Sequence, residues 1–199
     1  MKKIILIIII FLGFNNIILA DSPITSTNFS EAYEDIFIVQ RASEATYLTE
    51  ELIEYLDNPN NPIDVKVALI NELGWDNENQ DNYSLFFKYL MMKYHYKDFN
   101  ELVSKASGDI LISLAYLKAM DDYFNVKSSA LLAEIAVKKK EYSYTINIIY
   151  GLIMGQKFMD EDWSKINLIT SSVDKNRHLK RDMREDAIKI IFKYMNIYN

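Results

Sequence analysis

Few residues in this chain have the type and spacing to do chemistry. Histidine occurs only at His95 and His178, and cysteine is absent. A histidine-rich metal site would need both imidazoles plus carboxylates gathered by the fold, and there is no thiol to act as a nucleophile or to carry a lipid. His95 lies in Tyr94-His95-Tyr96 with Phe99, not a carboxylate or a second histidine, one helical turn on; a partly buried imidazole bonded to backbone is the expected state. The stretch Asp76-Asn77-Glu78-Asn79-Gln80-Asp81 alternates acids and amides as a calcium loop does. It fails at two positions: Asp81 stands sixth, where the sharp turn needs glycine, and Phe87 stands twelfth, where a bidentate glutamate belongs. A solvated turn and helix cap is expected there. There is no glycine-rich phosphate loop, His-Glu-x-x-His or Gly-x-Ser-x-Gly, and Asp121-Asp122 reads as a helix end. Neither catalysis nor a bound metal or cofactor is expected.

What the chain does offer is aromatic density. Tyr83, Phe86, Phe87, Tyr89, Tyr94 and Tyr96 follow one another with Leu85, Leu90, Met91 and Met92 between them. A helix apolar on nearly all sides is either central or keeps one face for a partner. Core filling is the commoner use of such rows, yet tyrosine and methionine are also enriched at interfaces. Trp75, directly after a helix stop, either locks two helix pairs together or joins the same face. Trp75, Tyr83, Tyr89, Tyr94 and Tyr96 are therefore the candidate partner-binding residues.

The compartment is written at the start of the chain. Met1-Lys2-Lys3 is a positive leader, Ile4 to Phe14 is almost unbroken apolar sequence, and Ile18-Leu19-Ala20 suits cleavage after Ala20. Residues 1–20 read as a secretory signal peptide and 21–199 as one exported domain, periplasmic or extracellular. The rival reading is an uncleaved anchor, because Ile17 to Leu19 carry the apolar stretch past Asn15-Asn16; that is the only membrane contact expected. Without Lys2 and Lys3 the domain keeps 28 acidic residues against 20 of the 22 basic ones, a net charge near −8. Such a surface disfavours nucleic acid and anionic membranes as general partners.

Five glycines and three prolines are too few for a β-sandwich or barrel, so the fold is expected to be all-α. Asn28-Phe29-Ser30-Glu31 has the form of a capping box opening one long helix, or two joined near Thr46 to Thr49. Asp57 to Pro62 breaks it. Pro62 then suits a first helical position with Asn61 as cap, and Gly74 suits the left-handed stop of that helix. Further helices are expected over Tyr83–Tyr96, Phe99–Ala106 and Ile110–Phe124, the last apolar enough for two neighbours. Ala130–Val137, Tyr142–Met154 with an end near Gly151 or Gly155, and a helix from Asp160 through Ile169 follow. Ser171 to Asn176 reads as a polar break. Lys138-Lys139-Lys140 suits a helix carboxyl end, and the basic cluster from Lys175 to Arg184 reads as a solvated face balanced by Asp182, Glu185 and Asp186.

Helix starts at Pro62, Asp109 and Tyr142 are 47 and 33 residues apart, which fits irregular helix pairs and no strict array. The run from Pro62 through Asp64-Val65, Ala68-Leu69 and Leu73-Gly74 resembles the second helix of a HEAT-type repeat. Leu132-Ala133, Lys139-Lys140-Glu141-Tyr142, Thr145, Ile149 and Leu152 are similar to a tetratricopeptide hairpin, with Ala136, Thr145 and Lys157 departing from its usual tyrosine, alanine and proline. The resemblances cover under a quarter of the chain and imply an irregular stack of antiparallel helix pairs, α-solenoid-like or a multihelical bundle, and no particular ligand. The function expected is a protein-interaction scaffold or adaptor. An exported inhibitor or immunity-type protein neutralising a basic effector and a small-ligand carrier with an aromatic cavity are the alternatives.

Overall fold

The computed structural model describes residues 22–45, 47–74 and 81–198. The leader, Trp75 and the acidic loop after it lie outside the described residues. Within them the chain is all-α, with ten α-helices, three short 3-10 turns and no strand; Ser143 and Lys180 form an isolated bridge. The helices are α1 (Phe37–Ser43), α2 (Glu50–Asp57), α3 (Ile63–Leu73), α4 (Asn82–Tyr94), α5 (Phe99–Lys105), α6 (Gly108–Asp121), α7 (Lys127–Lys139), α8 (Tyr144–Glu161), α9 (Leu168–Lys175) and α10 (Glu185–Met195).

Helix α6 is the hub. It opens on Ser107, whose side chain accepts the Ile110 N–H, and 11 of its 14 residues are buried, so no face is left to water. It packs against α2, α3, α4, α7 and α8. Helix α3 is nearly as enclosed, and one polar residue organises its far end. Asn71 accepts the Ser30 N–H at 2.9 Å and donates to the Thr27 carbonyl and the Tyr116 hydroxyl, each at 3.0 Å. That side chain explains why the capping box does not form. Asn28 makes no cap bond; Asn71 takes the Ser30 amide from across the core, and residues 29–33 tighten into a 3-10 turn that buries Phe29, Ser30 and Tyr33. The break near Thr46 to Thr49 is present, with Thr49 capping α2.

Pro62 sits one place earlier than expected, as the cap residue of α3, while the Asn61 amide donates to the Tyr55 carbonyl. Gly74 ends α3 at φ 77° and ψ −165°, a region open to glycine. Helix α8 corrects the reading of its glycines, for it runs through Gly151 and Gly155 to Glu161. These residues allow close approach rather than a stop: a Cβ at Gly151 would lie 2.8 Å from the Thr170 Cγ2, and one at Gly155 2.9 Å from the Ile166 carbonyl oxygen. Helix α9 therefore forms where a polar break was expected, held against α8 through Thr170. Gly155→Ala should destabilise the protein by about 1–2 kcal/mol net of the better helix propensity of alanine. An unchanged or raised thermal midpoint would show that the Ile166 backbone yields freely.

The last helix returns to the first turn. Helix α10 buries Ala187, Ile188, Ile191 and Met195 and packs on residues 29–33. Arg184 donates to the Ala32 carbonyl, pairs with Asp35 and lies 4.7 Å from the Tyr33 ring centroid. Arg181 pairs with Asp174 at 3.0 Å and stacks over Tyr144. Two of the three arginines of the expected solvated basic face, Arg181 and Arg184, thus tie segments together.

Candidate functional site

Helix α4 carries Tyr83, Tyr89 and Tyr94 at an edge of the fold and stops at Tyr94, short of Tyr96, which the sequence pattern places on the same helix. Asp81 caps it by accepting the Ser84 N–H at 2.7 Å. Only Asn82, Phe86 and Leu90 are buried, at spacings of four that define a narrow inward stripe. Everything else on the helix is half-buried or exposed, including Met92 at 75 % and Tyr94 at 44 %. His95 ends the helix in the left-handed conformation, at φ 54°, and is exposed rather than partly buried.

Two of the candidate tyrosines converge on a carboxylate that the sequence reading did not select. Asp57, the last residue of α2, is buried. It accepts a 2.6 Å ion pair from the Lys93 ammonium and a 2.9 Å hydrogen bond from the Tyr94 hydroxyl, with the Tyr89 hydroxyl 3.5 Å away. Lys93 also donates to the Tyr89 oxygen at 2.9 Å and lies near the faces of both rings. Tyr96 stacks on Tyr94 with centroids 5.5 Å apart. The hydrogen bond to Asp57, then that to Tyr89, raises the Lys93 pKa above its ordinary value. Burial, helped by the Asp57 hydrogen bond, raises that of Tyr94. Both shifts favour the protonated forms, an ammonium at Lys93 and a neutral phenol at Tyr94.

Tyr83 stands apart at the other end of α4. Its N–H donates to Asp121 of α6 at 2.7 Å, its ring covers the Lys118 ammonium at 4.3 Å, and it stacks on Phe87, which in turn meets Phe99. Two aromatic groups thus lie along α4 and the segment after it, Tyr89–Tyr94 with Tyr96, and Tyr83–Phe87 with Phe99 of α5, each met by a charge from another helix. Trp75, the fifth candidate, lies outside the described residues.

A second feature lies beside this one. The Pro59–Pro62 break rims an open cleft of about 360 Å³ whose walls include Asp64, Asp109, Lys140 and Asp182. Asp109 and Lys140 are paired at 2.7 Å, and Asp182 accepts the Thr145 N–H. Near them Lys66 of α3 is wholly buried, and its ammonium has no hydrogen-bond partner among the described residues. Among the described residues no three metal-binding side chains come together. Comparison with known families, characterised proteins and solved structures finds no match for the chain.

Sequence reading missed Asp57 because its partners are 32 to 37 residues away and helical periodicity carries no information across that distance. Lys66 did carry a signal. It interrupts the apolar run Ile63 to Ile70, and a helix apolar on every side must bury whatever lysine it contains.

Proposed function

We propose that this chain is an exported protein-interaction module that acts through shape and aromatic contact rather than catalysis. The observation that carries the proposal is the locking of the α4 tyrosines. With hydroxyls held toward Asp57, Tyr89 and Tyr94 present ring surface in fixed orientations beside exposed Met92. Rigid aromatic side chains lose little entropy on binding, which is why they dominate interface hot spots. We read the architecture as helix pairs closed into a bundle: contact between α10 and residues 29–33 joins the two ends, whereas a solenoid repeat touches only its neighbours.

Charge favours a basic partner, as in the inhibitor or immunity-type reading. Residues 22–74 contain ten acids against Arg41 and Lys66, and Lys66 is buried, so the first third of the fold presents an acidic surface.

The test is capture from cell-envelope extract with the tagged protein, comparing wild type with Met92→Glu and Tyr96→Ser. Both positions lie outside the buried stripe, so helicity should be unchanged. A specific protein recovered by wild type should bind each variant at least tenfold more weakly, about 1.4 kcal/mol. Recovery of the same protein at equal affinity by both variants would remove α4 from the interface.

A further inference from the structure

Three helices begin at one cleft. The break from Pro59 to Pro62 and the first turn of α3 form one wall, Asp109 in the first turn of α6 and Lys140 at the end of α7 a second, and the bridged segments around Ser143 and Lys180 a third. Ser143 caps α8 by accepting the Ile146 N–H. The amino ends of α3, α6 and α8 therefore all turn toward the same opening. Each has its aspartate: Asp64 and Asp109 lie in the first turns of α3 and α6, and Asp182 accepts the Thr145 N–H of α8 at 2.8 Å. These carboxylates answer the positive ends of the helix dipoles.

With the aspartates in place, the cleft still has positive charge left over. Lys140 and Lys180 stand on its rim and Lys66 behind it, and these three match Asp64, Asp109 and Asp182. The three helix ends remain, each worth about half a unit charge, an excess of roughly one to two. The chain as a whole has the opposite balance, 28 acidic residues against 22 basic ones.

Lys66 is a second and independent pointer to a ligand. None of it is accessible, and its ammonium has no hydrogen-bond partner among the described residues. A helical side chain leans back over the preceding turn, so Lys66 runs toward Ile63 and Pro62, three and four places earlier, both of which line the cleft. The charges that act on it agree with that direction: Asp109 and Lys140 belong to the cleft, and Asp57 stands just ahead of the break. Lys140 already holds both oxygens of Asp109, at 2.7 and 2.8 Å. What Lys66 lacks is an anion, and the cleft is where one can enter.

We infer that this cleft seats a phosphate group at the converging amino ends of α3, α6 and α8, with Lys140 and Lys180 as contacts on the rim and Lys66 as the buried counter-charge. A phosphate carries about −1.5 to −2 charge at neutral pH, which matches the excess; a carboxylate supplies only one unit, and a cation is repelled. Helix amino ends favour such a group through both their N–H donors and their dipoles. The cleft, at about 360 Å³, is larger than a bare phosphate needs, and Tyr142 stands 65 % exposed at its edge, so a phosphomonoester fits the same seat as the free ion. The bound anion relieves the buried ammonium, which accounts for a lysine that the fold otherwise holds at a cost. The seat is independent of what α4 binds, and its failure leaves the capture experiment with Met92→Glu intact.

The test uses the full-length protein at pH 7 in buffer free of phosphate and sulfate. Inorganic phosphate and phenyl phosphate are titrated by calorimetry, with acetate as the singly charged control and chloride to match ionic strength. Wild type should bind both phosphates saturably and acetate about tenfold more weakly, and phosphate should raise its thermal midpoint above that in chloride. Phenyl phosphate bound more tightly than inorganic phosphate marks the occupant as an organic phosphate, and the reverse order marks it as the free ion. Lys66→Met should bind phosphate about tenfold more weakly while keeping or exceeding the wild-type thermal midpoint in chloride, which separates loss of the site from loss of the fold. Lys180→Gln should weaken binding severalfold at unchanged stability. Equal phosphate affinity in wild type and Lys66→Met would overturn the inference, as would the absence of saturable binding of either phosphate by wild type. Acetate bound as tightly as phosphate would overturn it too.

Discussion

Lys66→Met should raise the stability of the protein at neutral pH by about 1–4 kcal/mol, the range seen when buried ionic groups are replaced by apolar ones of similar volume. Lys66 is wholly buried and its ammonium makes no hydrogen bond among the described residues. The nearest attractive charges are already engaged, Asp109 by Lys140 at 2.7 Å and Asp57 by Lys93 at 2.6 Å. Burial lowers the Lys66 pKa; Asp109 and Asp57 oppose that shift, and Lys140 adds to it. The sign follows from proton counts. Below the unfolded lysine pKa the unfolded chain holds a proton that the folded chain binds less readily, so stability falls as pH drops from about 10.4 toward the folded value. Within that window the slope approaches about 1.4 kcal/mol per pH unit. Urea unfolding at pH 7 and pH 9.5 should show wild type gaining stability with pH relative to Lys66→Met. Lys66→Ala should lose stability instead, because it leaves a cavity. A Lys66→Met protein less stable than wild type at pH 7 would mean that the amine is satisfied by a group the geometry does not reveal.

The all-α class was legible because it depends on quantities that a sequence displays directly: few glycines and prolines, and apolar residues at spacings of three and four. The all-round apolar character of α6 and the break before α3 were legible for the same reason. Residues whose role is set by a neighbour distant in sequence were not. Gly151 and Gly155 have the composition of a helix stop, yet they are contact points for Thr170 and Ile166, and only the α8–α9 packing distinguishes the two uses. Asn28 and Glu31 had the spacing of a capping box, but Asn71 competes for the amide from 41 residues away. At the candidate site Tyr83, Tyr89, Tyr94 and Tyr96 were selected as aromatic residues on one helix. Asp57 and Lys93, which fix two of them, have no local pattern that singles them out. A buried carboxylate beside a proline break reads in sequence as a solvated turn.

Asp121→Asn should stabilise the protein at pH 7 by about 1–2 kcal/mol and remove a stabilisation that wild type acquires on mild acidification. Asp121 joins the end of α6 to the start of α4 by accepting the Tyr83 N–H at 2.7 Å, and Asp81 is its hydrogen-bonded carboxyl neighbour. Burial pushes the Asp121 carboxyl up to about 6; the Tyr83 amide opposes the shift and the Asp81 charge adds to it. Burial would raise Asp81 as well, but two hydrogen bonds from Ser84, one with Asp121 and the Lys118 charge together hold it low, so the shared proton resides on Asp121. A folded pKa above the unfolded value near 3.9 means that the folded state binds more protons between the two. Stability from this group therefore rises as pH falls through about 6 and levels off below about 4. A shift of about two units corresponds to about 3 kcal/mol at most, and partial solvent contact lowers the expected effect to about half that. Asparagine retains an oxygen acceptor for the Tyr83 N–H and an amide donor toward Asp81, without charge or titration. Carboxylates that the fold holds below their ordinary pKa, such as Asp35 and Glu101, push the total pH dependence the other way. The diagnostic quantity is thus the stability of Asp121→Asn minus that of wild type in urea at pH 7.5 and at pH 5. That difference should fall to about half at pH 5, where the folded state is already protonated at this position, and the rest should vanish as pH falls to about 4. A difference that stays constant across the two would show that Asp121 does not take up a proton in this range, and that α4 is held to α6 by a permanently charged carboxylate.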